Sequence, residues 1–374
     1  MKIGIITLPL LGNYGGILQN YALQTVLKRM GYTVETIVLP WQLRYPLWRN
    51  LLAYCKRSFK KYVLRRKCLI FYEKWFNTTQ PYLIRFIQSF VHEHISTRHI
   101  ARFQELKDGD YDAFVVGSDQ IWRPSYSYRP IESTYLSFAK DWQYVKRVAY
   151  AASFGTDKWE YTPSQTQRCA TLLQLFDGVS VREEAGVDLC RKYLHCEAVR
   201  VLDPTMLLQV EDYLQLFEGK DLSAPRGELL TYVLDETPEK SQIIGQVSRQ
   251  YHYRVYRANS RYEDWFAPLE ERVQPPVEQW LKDFYDARFV ITDSFHATVF
   301  SILFGKSFLV IGNEGRGLSR IYSLLKMFGL EGRLIHSAVE LDLNRDYTLD
   351  VGRINAVLDA RRREAMEFLK ERLR

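Results

Sequence analysis

The sequence predicts an α/β protein of two doubly wound, Rossmann-like domains, the first carrying a basic helical insertion. Three observations carry this reading. The chain has 374 residues, beyond the ~250–300 at which one hydrophobic core stops growing. Short β-branched runs alternate with stretches of helical spacing from the N-terminus onward. The alternation breaks over a basic, aromatic stretch near 41–107 and restarts near residue 229.

Met1 to Leu8 (MKIGIITL) reads as a strand, Gly12 to Gly16 (GNYGG) as a glycine turn, and the apolar positions from Leu18 to Leu27 as a helix ended by Gly31. Thr33 to Leu39 then completes a βαβ unit. The 41–107 segment reads as a helical insertion broken at Pro46 and Pro81. Strands are predicted at Asp112–Gly117, Arg147–Ala151, Gly178–Val181 and Ala198–Leu202, with a helix at Thr166–Phe176. Asp203 and Pro204 mark a junction. A second series follows: strand Leu229–Leu234, helix Pro238–Tyr251 capped by Thr237, strand Tyr253–Tyr256, helix Val277–Tyr285, strand Phe289–Thr292, helix Thr298–Phe304 and strand Ser307–Ile311. The domains are therefore placed at 1–205 and 206–350, with a last helix in 351–374 crossing back to the first.

Hydrophobic residues make up 47% and charged residues 25% of the chain, a balance that excludes disordered and membrane-embedded classes. No apolar run reaches the ~20 residues that span a bilayer, and the N-terminus lacks the features of a signal peptide. A cytoplasmic protein is expected. The five cysteines lack zinc-site spacing and read as reduced, mostly buried thiols, so no metal is expected. The net charge of +7 is uneven: residues 41–107 hold fourteen Lys or Arg against three acids, leaving the remainder acidic. No nucleic-acid motif accompanies this excess, and nucleic acid is not expected as a partner. An amphipathic face on an anionic membrane surface and a packed insertion with a solvated basic side both fit.

Doubly wound domains bind ligands at the C-terminal ends of their parallel strands, which directs attention to five strings. In the first turn, Asn13, Tyr14, Gly15 and Gly16 let backbone and helix N-terminus approach a ligand; the same string also makes a plain tight turn. Ser118, Asp119, Gln120 and Trp122 (VGSDQIW) offer short polar groups beside an indole, as a sugar wall requires, or equally a helix cap and a core Trp. Arg182, at a strand exit, suits a bidentate anion clamp or a surface pair with Glu183 or Glu184. Asp293, Ser294 and His296 end a buried strand and open an apolar helix. There a neighbouring carboxylate supports the imidazolium and the helix dipole opposes it, a setting for proton transfer. Arg316 and Arg320 lie in a glycine-rich loop that can wrap a phosphate or stay a surface loop.

Taken in order, NYGGILQNYALQTVLKRMGY, YDAFVVGSDQIW, RVAYAASFG, GVSVREEAG, VLDPTMLL, ITDSFHATVFSILFGKSFLV and GRGLSR resemble the polysaccharide pyruvyl transferases of bacterial surface-glycan pathways. The resemblance implies a fold similar to the GT-B glycosyltransferases, phosphoenolpyruvate as donor without a further cofactor, and a pyruvate ketal on a sugar or lipid-linked oligosaccharide as product. It implies donor binding by Arg182 and an acid/base role for His296. The family's Arg-Leu-His motif here reads Ser294, Phe295, His296, so the second cation is assigned to Arg316 or Arg320. Two other readings remain beside this one: a nucleotide-sugar glycosyltransferase of the same architecture, and a non-catalytic glycan-binding or scaffold protein. The oligomeric state is not legible.

Overall fold

The computed structural model describes residues 1–374 apart from Arg44, Tyr45, Lys67 and Tyr128, so three positions of the predicted insertion lie outside the described residues. The first half contains β1 (Lys2–Ile6), α1 (Tyr14–Arg29), β2 (Thr33–Val38), α2 (Leu47–Tyr62), α3 (Tyr72–Leu83), α4 (Arg85–His94), β3 (Thr97–His99) and β4 (Ala113–Val116). It continues through β5 (Lys146–Ala152), α5 (Pro163–Leu173), β6 (Gly178–Val181), α6 (Glu184–Leu194) and β7 (Val199–Arg200). These strands form a parallel sheet in the order β3-β2-β1-β4-β5-β6-β7.

Helix α7 (Val210–Leu214) leads into the second half: β8 (Leu229–Tyr232), α8 (Pro238–Tyr251), β9 (Val255–Arg257), α9 (Leu269–Arg272), α10 (Val277–Asp286) and β10 (Phe289–Thr292). Then come α11 (Phe295–Leu303), β11 (Ser307–Ile311), α12 (Leu318–Phe328), β12 (Leu334–Ile335) and α13 (Val351–Arg372). The second sheet is also parallel, ordered β12-β11-β10-β8-β9. The α/β class with two doubly wound sheets is thus what the alternation predicted. Local chemistry sets the helix ends: the Thr237 side chain accepts from the Lys240 amide with Pro238 in the first turn of α8, and Gly31, at φ +88°, follows α1.

The strand order reverses between β1 and β4 in the first sheet and between β8 and β10 in the second, and such crevices collect ligands. The inner face of α1 is polar there. Gln19 accepts from the Ser118 amide (2.9 Å) and donates to Thr7 (3.0 Å), while Gln24 donates to Thr36 (2.8 Å). These bonds tie α1 to the ends of β1 and β4 and to the middle of β2. Across the interface, the Tyr14 hydroxyl donates to the Pro275 carbonyl (2.8 Å) and its ring stacks on Trp280 at 5.4 Å. Helix α13 returns to the first half, where Arg362 donates to the carbonyls of Met206 and Leu208 and Phe368 meets Tyr150.

Three expectations need correction. The 41–107 segment is not wholly an insertion: α4 buries Ile87, Phe90 and Val91, and β3 extends the sheet beside β2. Its three residues, Thr-Arg-His, are too few and too polar to show a strand period. Pro81 lies inside α3 instead of breaking it, and the helix stops two residues later. Of the cysteines only Cys169 and Cys190 are buried. No described helix is long and apolar enough to cross a membrane.

Candidate active site

Both reversal points open onto one cleft of about 760 Å³ between the halves. From the first half, Asn13, Tyr14, Asp119 and Gln120 line it; from the second, Asp293, Ser294, His296, Arg316 and Arg320. The N-termini of α1 and α11 meet here, each without a side-chain cap, so each presents unpaired amides and the positive end of a helix dipole.

The end of β4 is shaped by backbone that few residues tolerate. Gly117, at φ +137°, leaves no room for a side chain, since a Cβ would stand 2.0 Å from the Tyr150 carbonyl oxygen. Asp119 (φ +55°) and Ala151 (φ +49°) occupy the left-handed region at a cost that surrounding contacts offset. The result turns the Asp119 carboxylate inward, where it accepts from Asn13 (3.1 Å) and from Arg182 (2.9 Å).

Behind this wall lies a buried ion network. Arg182 uses its Nη1 to donate to Asp203 (2.7 Å), whose other oxygen accepts from the Thr205 amide (3.1 Å) and hydroxyl (2.7 Å). Burial alone would raise the carboxyls of Asp119 and Asp203, but the groups facing them, the Arg182 guanidinium and the His296 ring when it carries a proton, hold both below the usual range. The Nε2 of His296 stands 3.7 Å from Asp203, beyond hydrogen-bond length, and has no other partner among the described residues.

Two arginines flank the Phe295 ring, Arg182 at 4.5 Å and Arg320 at 5.5 Å, but their charge balance differs. Arg182 resists the effect of burial because Asp119 and Asp203 hold its proton. Burial and the repulsion of Arg182 pull Arg320 down to about 10, and its nearest carboxylate, Asp119, is 3.9 Å away. Arg320 is therefore an under-compensated cation on the cleft wall.

The second half fixes its own loops around Asp293. That carboxylate accepts from the amides of Leu234 (2.7 Å) and Asp235 (3.2 Å), from Lys240 (2.7 Å) and from Asn313 (3.0 Å). Arg316 makes two 2.9 Å bonds to Asp235 and one of 3.1 Å to Glu263.

The predicted residues thus converge, with four corrections. Asp293 does not orient the imidazole; it is spent on loop amides and Lys240, and the carboxylate facing His296 is Asp203, which the sequence suggested only as a junction. Arg182 is neither on the surface nor on the cleft wall, because its η nitrogens are taken by two buried carboxylates. Ser118 is fully buried, its hydroxyl 3.1 Å from both Asp203 and the Ala151 carbonyl. Trp122 is no sugar wall: it is fully buried, stacked on Tyr135 at 4.9 Å. Of the aromatic residues that line the cleft, Tyr14, Tyr232 and Phe295 are buried, and Phe76, Tyr126 and Tyr262 are the half-exposed ones. Gly15 and Gly16 serve packing: a Cβ on Gly15 would meet the His296 ring at 2.0 Å, and one on Gly16 would reach Asp119 at 3.4 Å. Gln19 and Asp203 escaped the sequence reading, although Asp203 follows a short strand just as Asp119 and Asp293 do.

Comparison with known proteins agrees with this architecture. A family model described as polysaccharide pyruvyl transferase matches residues 13–315. Among solved structures, the chain is similar to Arabidopsis thaliana UGT89C1 complexed with UDP-L-rhamnose, at 12% identity and TM-score 0.50, covering 98% of this chain and 94% of that one. A Methanocaldococcus jannaschii UDP-GlcNAc 2-epimerase in complex with UDP-GlcNAc and UDP aligns at 12% identity and TM-score 0.47, covering 96% and 99%. The first of these likenesses speaks to the fold alone, which is of the GT-B type. No curated protein sequence matches the chain significantly.

Proposed function

The chain belongs to the polysaccharide pyruvyl transferase family, and from that premise we propose that its cleft transfers pyruvate from phosphoenolpyruvate to a sugar of a surface-polysaccharide precursor as a ketal. The observation that carries this reading is the pairing of His296, its Nε2 buried and unbonded, with the under-compensated Arg320, where two uncapped helix N-termini meet. A trianionic donor needs such a setting. Its carboxylate and phosphate would take the free amides of α1 and α11 and the guanidinium of Arg320, with Arg182 holding the wall behind.

In the proposed reaction the donor's methylene carbon gains a proton, which makes C2 electrophilic. One sugar hydroxyl adds to C2, phosphate leaves, and a neighbouring hydroxyl closes the ketal. The two hydroxyl protons are accounted for as one on the new methyl group and one on phosphate. His296 is the group placed to move protons, and Asp203 stabilises its charged form from 3.7 Å. Phe76, Tyr126 and Tyr262 give the acceptor ring an apolar face at the rim.

Phosphate release from phosphoenolpyruvate across a panel of sugar acceptors, with mass spectrometry of the product, tests the proposal. Release that depends on an acceptor and yields a ketal is expected. Absence of any release with acceptors carrying free neighbouring hydroxyls would overturn it.

A further inference from the structure

Helix α2 is inverted relative to the rest of the fold, since none of its residues is buried. Trp48, Leu52, Phe59 and Tyr62 recur at helical spacing on its outer side, 65%, 63%, 56% and 70% exposed, with Leu47 and Leu51 beside them. Its inner side is the polar one. There Arg57 forms a two-bond pair with Glu73 of α3 (2.7 and 2.8 Å), and Tyr54 packs on Phe71 at 5.0 Å.

An apolar stripe of this size facing water calls for a cover. Charge selects which one. On a helical wheel, Lys56 and Lys60 border the stripe on one side and Lys61 on the other, within a segment of fourteen cations and three acids. Apolar rings between cationic borders match a surface whose interior is hydrocarbon and whose face is anionic. We propose that α2 is an in-plane interfacial helix that seats the protein on a bilayer containing anionic lipid.

The placement has meaning for the cleft. Through Glu73, α2 is fastened to α3, and α3 supplies Phe76 and Gln80 to the cleft lining. Docking by α2 therefore brings the rim that carries the aromatic residues toward the bilayer and favours an acceptor held in the membrane. The inference goes beyond the pyruvyl-transfer reading and does not need it, because binding to vesicles is measured without turnover.

The test is co-sedimentation of the full chain with vesicles of phosphatidylcholine alone and with added phosphatidylglycerol, at low and high salt. The wild type is expected to bind the anionic vesicles preferentially and to lose that preference in high salt. A Leu51→Ser, Phe59→Ser double variant should bind roughly tenfold more weakly or worse, with an unchanged melting temperature. A Lys56→Glu, Lys60→Glu variant should lose the preference for anionic lipid. Failure of the wild type to bind either vesicle, or wild-type binding by the serine variant, would overturn the proposal. So would a lipid-independent dimer abolished by the serine substitutions, which would assign the face to a second copy of the chain.

Discussion

A Cβ placed on Gly15 would stand 2.0 Å from Nδ1 of His296, so the first helix of one domain and the imidazole of the other share a space that admits no methyl group. Gly15→Ala should displace the ring while leaving both sheets intact. Turnover is expected to fall about a hundredfold, since misplacement by an ångström costs that order. Steady-state phosphate release, with a melting curve to verify folding, checks this; near wild-type turnover would remove His296 from the chemistry.

His296→Gln keeps size and polarity but cannot carry the proton. A fall in turnover of roughly 10²–10⁴-fold is expected, with the Michaelis constant for phosphoenolpyruvate changed much less. An equal loss in the Michaelis constant would assign the ring to binding.

The two arginines should separate experimentally. Arg182→Ala strands Asp119 and Asp203, both buried, and should cost about 3–5 kcal/mol of stability in denaturant titration. Arg320→Gln strands no close carboxylate, since the nearest is 3.9 Å away, and gives up only the bond that Arg320 donates to the Arg316 carbonyl. It should leave stability nearly unchanged and raise the Michaelis constant for phosphoenolpyruvate about tenfold or more. The reverse pattern would make Arg182 the anion contact.

Ligand-dependent melting separates the proposed donor from nucleotide sugars. Phosphoenolpyruvate should raise the melting temperature and Arg320→Gln should abolish the shift, whereas UDP and GDP should have little effect. Stabilisation by a nucleotide alone would favour a glycosyltransferase.

Asp283 offers a test of stability against pH. Burial pushes its carboxyl up to about 6, above an unfolded value near 4, so ionisation opposes folding. The penalty is absent below pH ~4, grows between ~4 and ~6 and is complete above that. Asp283→Asn, which keeps an acceptor for Gln279 (2.8 Å in the parent), should therefore stabilise the protein by about 1–2 kcal/mol at neutral pH and by little near pH 4. Equal effects at both pH values would contradict the assignment.

What could be read from the sequence was local. Helix α8 announces itself through Thr237 and Pro238, and the strands before Asp119, Arg182 and Asp293 through β-branched runs. The family strings pointed to the same strand ends. What could not be read was pairing across distance. Asp203 stands opposite His296 only because two separate sheets bring their strand ends together, and no periodicity encodes that. Arg182 and Arg320 look alike as single cations, and only their neighbours' carboxylates distinguish a structural charge from an available one. Trp122 misled because an indole beside polar residues fits a sugar wall and a core equally well, and the turn at Gly117 to Asp119 decides which way it points.

Helix α13, by returning to the first half, makes the chain pass between the halves twice, once near α7 and once along α13 itself, whose first turn still meets α12 through Arg353 and the Phe328 carbonyl. The halves are thus joined at two places, and a nick in the chain at either crossing leaves the other in place.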